Sequence, residues 1–137
     1  MKIVTTLAAC VLLGMALSAC SSDSEHPDEG SEGNATGSMC PPSSDLTYDS
    51  FGRDFMASYC TRCHSSTLSG AARNGAPADH NFDTLSGIVT MAEHIDENAA
   101  AGPAATNTTM PPAAPVPTHD ERLLLGEWLA CETAKEH

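Results

Sequence analysis

The chain has 137 residues, with 18 acidic against six basic side chains and a formal net charge of −12. That length suits one domain. The acidity argues against a surface for nucleic acid or anionic lipid; it would steer a basic partner, or simply keep the chain soluble. With one Trp, two Tyr and three Phe in all, a core this small needs a disulfide, metal or cofactor to complete it.

Lys2 and the apolar run from Ile3 to Leu17 are too short for a membrane span of about 20 residues but suit an export signal. The run ends in Leu17-Ser18-Ala19-Cys20, which resembles the lipobox of bacterial lipoproteins. That resemblance implies a signal peptide over 1–19 and a lipidated Cys20. The product would be held by its lipid in the bacterial cell envelope, facing the periplasm or the cell exterior. The plainer reading is an ordinary signal cut near Ala19 that leaves Cys20 a free thiol. Residues 20–39 carry five acids (Asp23, Glu25, Asp28, Glu29, Glu32) and no Lys or Arg, a composition expected of an acidic flexible tether. The folded domain is expected over 40–137, where thirteen acids face Arg53, Arg62, Arg73, Arg122 and Lys135.

The first predicted helix spans 48–60, with Tyr48, Phe51, Phe55 and Tyr59 on one face. Thr47 is its N-cap and Asp49 favours its first turn. Gly52 inside it costs roughly 1 kcal/mol relative to Ala, which points to a packing reason such as a helix crossing close by. At its end stands Cys60-Thr61-Arg62-Cys63-His64. Two cysteines three apart lie on nearly one side of a helix. Their sulfurs can reach two vinyl groups of one porphyrin, and the following histidine can then ligate the iron; the pattern reads as covalent c-type haem attachment. A zinc site using Cys60, Cys63, His64 and His80 is the alternative, though adjacent Cys63 and His64 are an awkward ligand pair. A thioredoxin-like Cys60–Cys63 redox pair would expect a strand before the motif and a helix after it, the reverse of this order.

A second helix is predicted over 84–98, with Leu85, Ile88, Val89, Ala92 and Ile95 on one stripe and Asp83 as cap. The last begins at Thr118, in capping-box spacing with Glu121, and presents Leu124, Leu125, Trp128 and Leu129. No segment alternates as a strand would, so the fold class is all-α, with long irregular stretches at 65–82 and 99–117 that could wrap an object. Cys40 and Cys131 remain, one at each end of the domain. In an exported protein they are expected to pair, and a bridge closing so long a loop is worth about 4–5 kcal/mol in the chain-entropy picture.

From Tyr48 to Cys131 the sequence resembles the small class I c-type cytochromes. It shows in order a helix running into CxxCH, a proline-bearing loop, an intermediate helix, a methionine loop and a C-terminal helix. The resemblance implies the cytochrome c fold, in which N- and C-terminal helices cross and the loops wrap one covalent haem. Gly52, eight before Cys60, stands where the family uses a glycine for that crossing, with Trp128 and Leu124 as partners. Met56 stands where the family often has an aromatic, which Phe55 could replace. Haem c would be held through Cys60 and Cys63, with His64 as one axial ligand. For the other, Met110 before Pro111 and Pro112 matches the family's ligand loop. Met56 and Met91 read better as gap-filling helix residues, His94 and His119 as solvated, and His80 is the main rival. The resemblance also implies a Pro77 carbonyl that accepts from the His64 ring, and an Arg73 that pairs with a haem propionate or stands solvated.

The function expected is electron transfer, without catalysis, between redox protein partners with basic docking faces. A tether raises their effective concentration near the membrane. The alternatives are a haem-based sensor or peroxidase-like domain with a displaceable sixth ligand and, behind it, a structural zinc module.

Overall fold

The computed structural model describes residues 36–136, so the proposed signal and Cys20 lie outside the described residues. Within these the regular structure is all-α. A π-helical turn Tyr48–Gly52 runs into α1 (Arg53–Tyr59), followed by a 3-10 turn Gly70–Arg73, α2 (Leu85–Thr90), α3 (Ala92–Ala99) and α4 (His119–Thr133). The only β feature among the described residues is an isolated bridge between Ala101 and Thr106.

Local chemistry sets these boundaries. Thr47 caps the first helical run: its hydroxyl accepts from the Ser50 N–H and its own N–H donates to Ser50 Oγ at 2.9 Å. Thr118 and Glu121 form the same reciprocal arrangement at the start of α4. The stretch expected as one helix over 84–98 is two. Thr90 Oγ1 bonds back to Ser86 O at 2.9 Å, and Met91, at φ −113°, bonds to Ile88 O and Val89 O. Such back-bonding bends helices, and α3 restarts after Met91. The cap of α2 is Thr84 rather than Asp83. Asp83 instead staples the loop after the CxxCH motif, its Oδ2 accepting from Ser65 Oγ, Ser66 N and Ser66 Oγ.

The core joins Phe55 and Met56 of α1 to Ile88, Ala92 and Ile95, and to Leu125, Trp128 and Leu129 of α4. Met56 is buried there at 1% exposure, filling the position where an aromatic was expected. Leu125, Trp128 and Leu129 face inward as expected, but Leu124 points outward at 40% exposure, and Arg122 and Gly126 complete the inner face. At the crossing of the two ends Gly52 lies against the Trp128 ring, which a Cβ at that position would overlap.

The N-terminal boundary also moves. Residues 36–39, assigned to the tether from composition, belong to the fold. Thr36 is fully buried, donating from Oγ1 to the Asp96 carboxylate at 2.8 Å, and its carbonyl accepts from Ala104 N–H. Ser38 Oγ donates to Ala101 O. The Sγ atoms of Cys40 and Cys131 lie 1.96 Å apart, with 4.6 Å between their Cα atoms, and close a loop of 91 residues.

Candidate functional site

The two irregular stretches face each other across a largely apolar cleft holding about 960 Å3 of space free of protein atoms, open mouth included. The space within it that a water molecule can enter is about 220 Å3, below the roughly 300–1,000 Å3 typical of ligand pockets. Cys60, Cys63 and His64 line it, as does Met110.

One wall grows from the end of α1. The helix winds down through Cys60 N to Met56 O, and the Cys63 and His64 amides both turn back to Cys60 O, at 3.1 and 3.0 Å. His64 O then accepts from Phe82 N at 2.8 Å, and the two rings stack at 4.6 Å with 12° between their planes. Burial pushes the His64 pKa down, partly offset by the nearby His80 carbonyl and reinforced by the neighbouring His80, Arg73 and His94 side chains. The carbonyl does not reach hydrogen-bonding geometry, for His64 Nδ1 is buried with no partner. A neutral imidazole is the form that ligates a metal.

Two residues carried over from the family take other parts. Pro77 lines the cleft, but its carbonyl accepts from Arg73 Nη2 and from His80 N–H, and not from the His64 ring. Arg73 is neither solvated nor free for a propionate. It is 5% exposed and places all five of its donors: Nε on Ala76 O, Nη1 on Ser65 O and Asn81 Oδ1, Nη2 on Pro77 O and His80 O. A guanidinium has five N–H groups and no more, so Arg73 is spent on tying the 65–81 loop. His80, the rival ligand, packs on the His64 side, its ring 6.1 Å from that of His64 and nearly parallel, and 4.8 Å from His94.

The opposite wall is the 98–117 stretch. Met110 N–H donates to Asn98 O at 2.8 Å, and Asn107 N–H to Ala100 O. Met110 keeps 39% of its surface exposed, with Pro111, Pro112 and Pro117 beside it in the cleft lining. Met56, Met91 and His119 do not line the cleft.

Cys60 and Cys63 are both free thiols. Cys60 is not sealed from solvent, yet burial pushes its thiol up to about 12 against the opposing charges of Arg62 and Arg122. Redox-active CxxC pairs sit at helix N-termini with depressed pKa values; this one stands at a helix C-terminus, and its Cys60 thiol moves the other way. Among the described residues no three His, Cys, Asp or Glu side chains gather as a metal site, which leaves the zinc arrangement without support. What the cleft offers is two free thiols, the imidazoles of His64, His80 and His94, and one thioether around a largely apolar space.

Sequence reasoning missed Arg62 and Arg122. Arg62 donates to the carbonyls of Ala113, Ala114 and Pro115, and Arg122 to those of Ala99, Asn107 and Met110. The signal for Arg122 was present: a cation three residues before Leu125, on the same helical face as the apolar stripe of α4. No family model, no characterised protein and no solved structure matches the chain.

Proposed function

We propose that this is a c-type cytochrome domain that carries electrons one at a time. The observation behind the reading is that the CxxCH segment and Met110, 46 positions past His64 in sequence, come from separate walls to line one apolar cleft. The residues fit a covalently held haem. Cys60 and Cys63 are unpaired thiols three apart, His64 has a ring nitrogen without a partner, and Met110 supplies a thioether from the facing loop. When bound, haem supplies one-electron exchange between ferrous and ferric iron.

The chain's own residues do the rest. Cys60 and Cys63 would hold the group by thioether links, and Phe82 stacks against His64 and so fixes its ring plane. His64 and Met110 would supply the iron's protein ligands, and Met/His ligation raises the reduction potential. Pro111, Pro112 and Phe55 give the cleft apolar lining. The order of elements and the Gly52–Trp128 contact support the small class I cytochrome architecture. A lipid at Cys20 and an acidic tether would place the domain at a membrane surface, where redox proteins with basic docking faces are its partners.

The test is expression in a host that matures c-type cytochromes. The purified product should gain the mass of one haem and give a c-type pyridine haemochrome spectrum, both lost in Cys60→Ser/Cys63→Ser. A colourless wild-type protein refutes the reading. A coloured protein whose reduced form binds carbon monoxide tightly, and whose ferric form lacks the weak long-wavelength band of methionine ligation, is a sensor or peroxidase-like domain instead.

A further inference from the structure

Arg122 lies on the buried face of α4 at 4% exposure, and no carboxylate pairs with it among the described residues. A buried guanidinium without a counter-ion is costly unless its hydrogen-bonding capacity is met. Here carbonyls meet part of it: the two Nη1 protons are shared among three oxygens, while Nε and Nη2 have no hydrogen-bond partner among the described residues. Nη1 donates to Ala99 O, to Asn107 O at 2.8 Å and to Met110 O at 2.9 Å. These three oxygens belong to the end of α3 and to both ends of the 107–110 run, so the charge sits at the neck of the loop that bears Met110. Arg122 is itself fixed from behind, its N–H bonding to Thr118 O and its carbonyl accepting from Ala101 N–H at 2.9 Å.

Both backbone polar groups of Met110 are therefore held. The N–H is held by Asn98 O of α3 and the carbonyl by Arg122 of α4. Only the thioether side chain is left to choose its place, and it borders the cleft. From the other end Arg62, inside the CxxCH motif, ties the same loop through Ala114 O at 2.7 Å and through the Ala113 and Pro115 carbonyls. Residues 107–117 contain no helix or strand, so these ties replace the backbone bonds that regular structure would have supplied.

We propose that Arg122 is the positioning residue of Met110, with Arg62 as its second tie, and that the two arginines hold the thioether at the cleft. The part of this that concerns iron ligation rests on the haem reading above; the placement of the loop does not, and the experiment separates them.

The variants are Arg122→Gln, Arg122→Lys and Arg62→Gln in the full chain. Hydrogen exchange at the Met110 amide reads the loop whether or not haem is present. Arg122→Gln should speed that exchange about tenfold or more, the scale of one charge-assisted hydrogen bond, while the Phe55 and Leu125 amides change less. Arg122→Lys, which keeps the charge, should restore most of the protection. In haem-loaded protein Arg122→Gln should weaken the long-wavelength ferric band and bind added imidazole about tenfold more tightly.

Equal acceleration at Met110, Phe55 and Leu125 would mean that Arg122 merely stabilises the fold, and would overturn the proposal. So would an unchanged Met110 amide with an unchanged imidazole affinity. Should Arg122→Gln fail to fold, the exposed Arg62→Gln decides: it must speed Met110 exchange selectively or the proposal falls. If the wild-type chain proves colourless the haem reading fails, and the exchange result still decides whether Arg122 holds Met110.

Discussion

Replacing Gly52 by Ala tests the contact that closes the fold around the cleft. A Cβ there would stand 2.6 Å from Trp128 Cε2, with two further ring atoms nearer still. Carbon atoms settle at about 3.5–4.0 Å, so ring and backbone must part by about 1 Å. Neither yields easily. Trp128 is fully buried, its Nε1 donates to Glu132 Oε1 at 3.1 Å, and the rings of Phe51 and Tyr48 lie 6.0 and 6.5 Å away. Overpacking costs about 1–3 kcal/mol, and a clash of backbone with a rigid ring belongs at the upper end. Alanine returns about 1 kcal/mol of helix propensity, for a net loss of about 2 kcal/mol. In a domain of about 100 residues that lowers Tm by about 8–16 °C. Thermal unfolding followed by circular dichroism measures it, with exposed Ser58→Ala on the same helix as control. In a Trp128→Phe background, where the reaching ring is shorter, the cost of Gly52→Ala should shrink. A Gly52→Ala protein as stable as wild type, or costs that simply add in the double variant, would refute the argument.

Met110→Ala in the haem-loaded protein should lower the reduction potential and admit imidazole or carbon monoxide; voltammetry and ligand titration check it, and an unchanged potential counts against Met110 as a ligand. Cys131→Ser should leave haem attached but lower stability by up to about 4–5 kcal/mol, given the 91-residue loop between the two cysteines; if Cys40 is readily alkylated in native wild-type protein, the pair is not bridged. Hydrogen bonds from Ser66, with others from Ser65, hold the Asp83 carboxyl below its usual range. A depressed folded-state pKa gives stability that is present above the unfolded value of about 3.9 and lost as pH falls through the folded one. Asp83→Asn should therefore lower Tm at pH 7, with the difference fading below about pH 4; a difference constant with pH would show that ionisation plays no part.

The helices were legible because their signals are local. Thr47, Thr118 and Glu121 cap by short-range bonds, and the spacing of Phe55, Leu125, Trp128 and Leu129 marks a buried stripe. The CxxCH motif and Met110 could be singled out because their chemistry is carried by residue type and neighbours. Other features depended on partners distant in sequence. Asp83 could cap α2 or staple Ser65 and Ser66, and only the return of the chain to His64 O through Phe82 N decides for the staple. Thr36 reads as tether by composition, yet the Asp96 carboxylate 60 positions on draws it into the fold. Leu124 and Leu125 look alike in the sequence, but the face that buries Leu125, Trp128 and Leu129 also carries Arg122 to the 99–110 carbonyls and leaves Leu124 outside. Arg73 likewise could have faced a ligand, but a loop that forms little regular structure needs donors for its carbonyls, and the nearest guanidinium supplies them.

The same economy bears on the charge of the surface. The domain has five cationic side chains, and the fold engages every one. Arg73 ties the His64 wall, Arg122 and Arg62 tie the Met110 wall, Arg53 pairs with Asp49, and Lys135 meets Glu132 at 2.9 Å. Meanwhile Asp45, Asp54, Glu93, Glu97 and Asp120 stay exposed and have no salt-bridge partner among the described residues. Thirteen acids against five cations already make the domain acidic, and burying Arg73 and Arg122 leaves still fewer cations outside to offset them. That exterior would favour association with a basic partner, and association should slow as salt screens charges over a Debye length of about 8 Å at physiological ionic strength. The burial of Arg73 and Arg122 therefore serves both the bonds that shape the cleft and the field that would bring a partner to it.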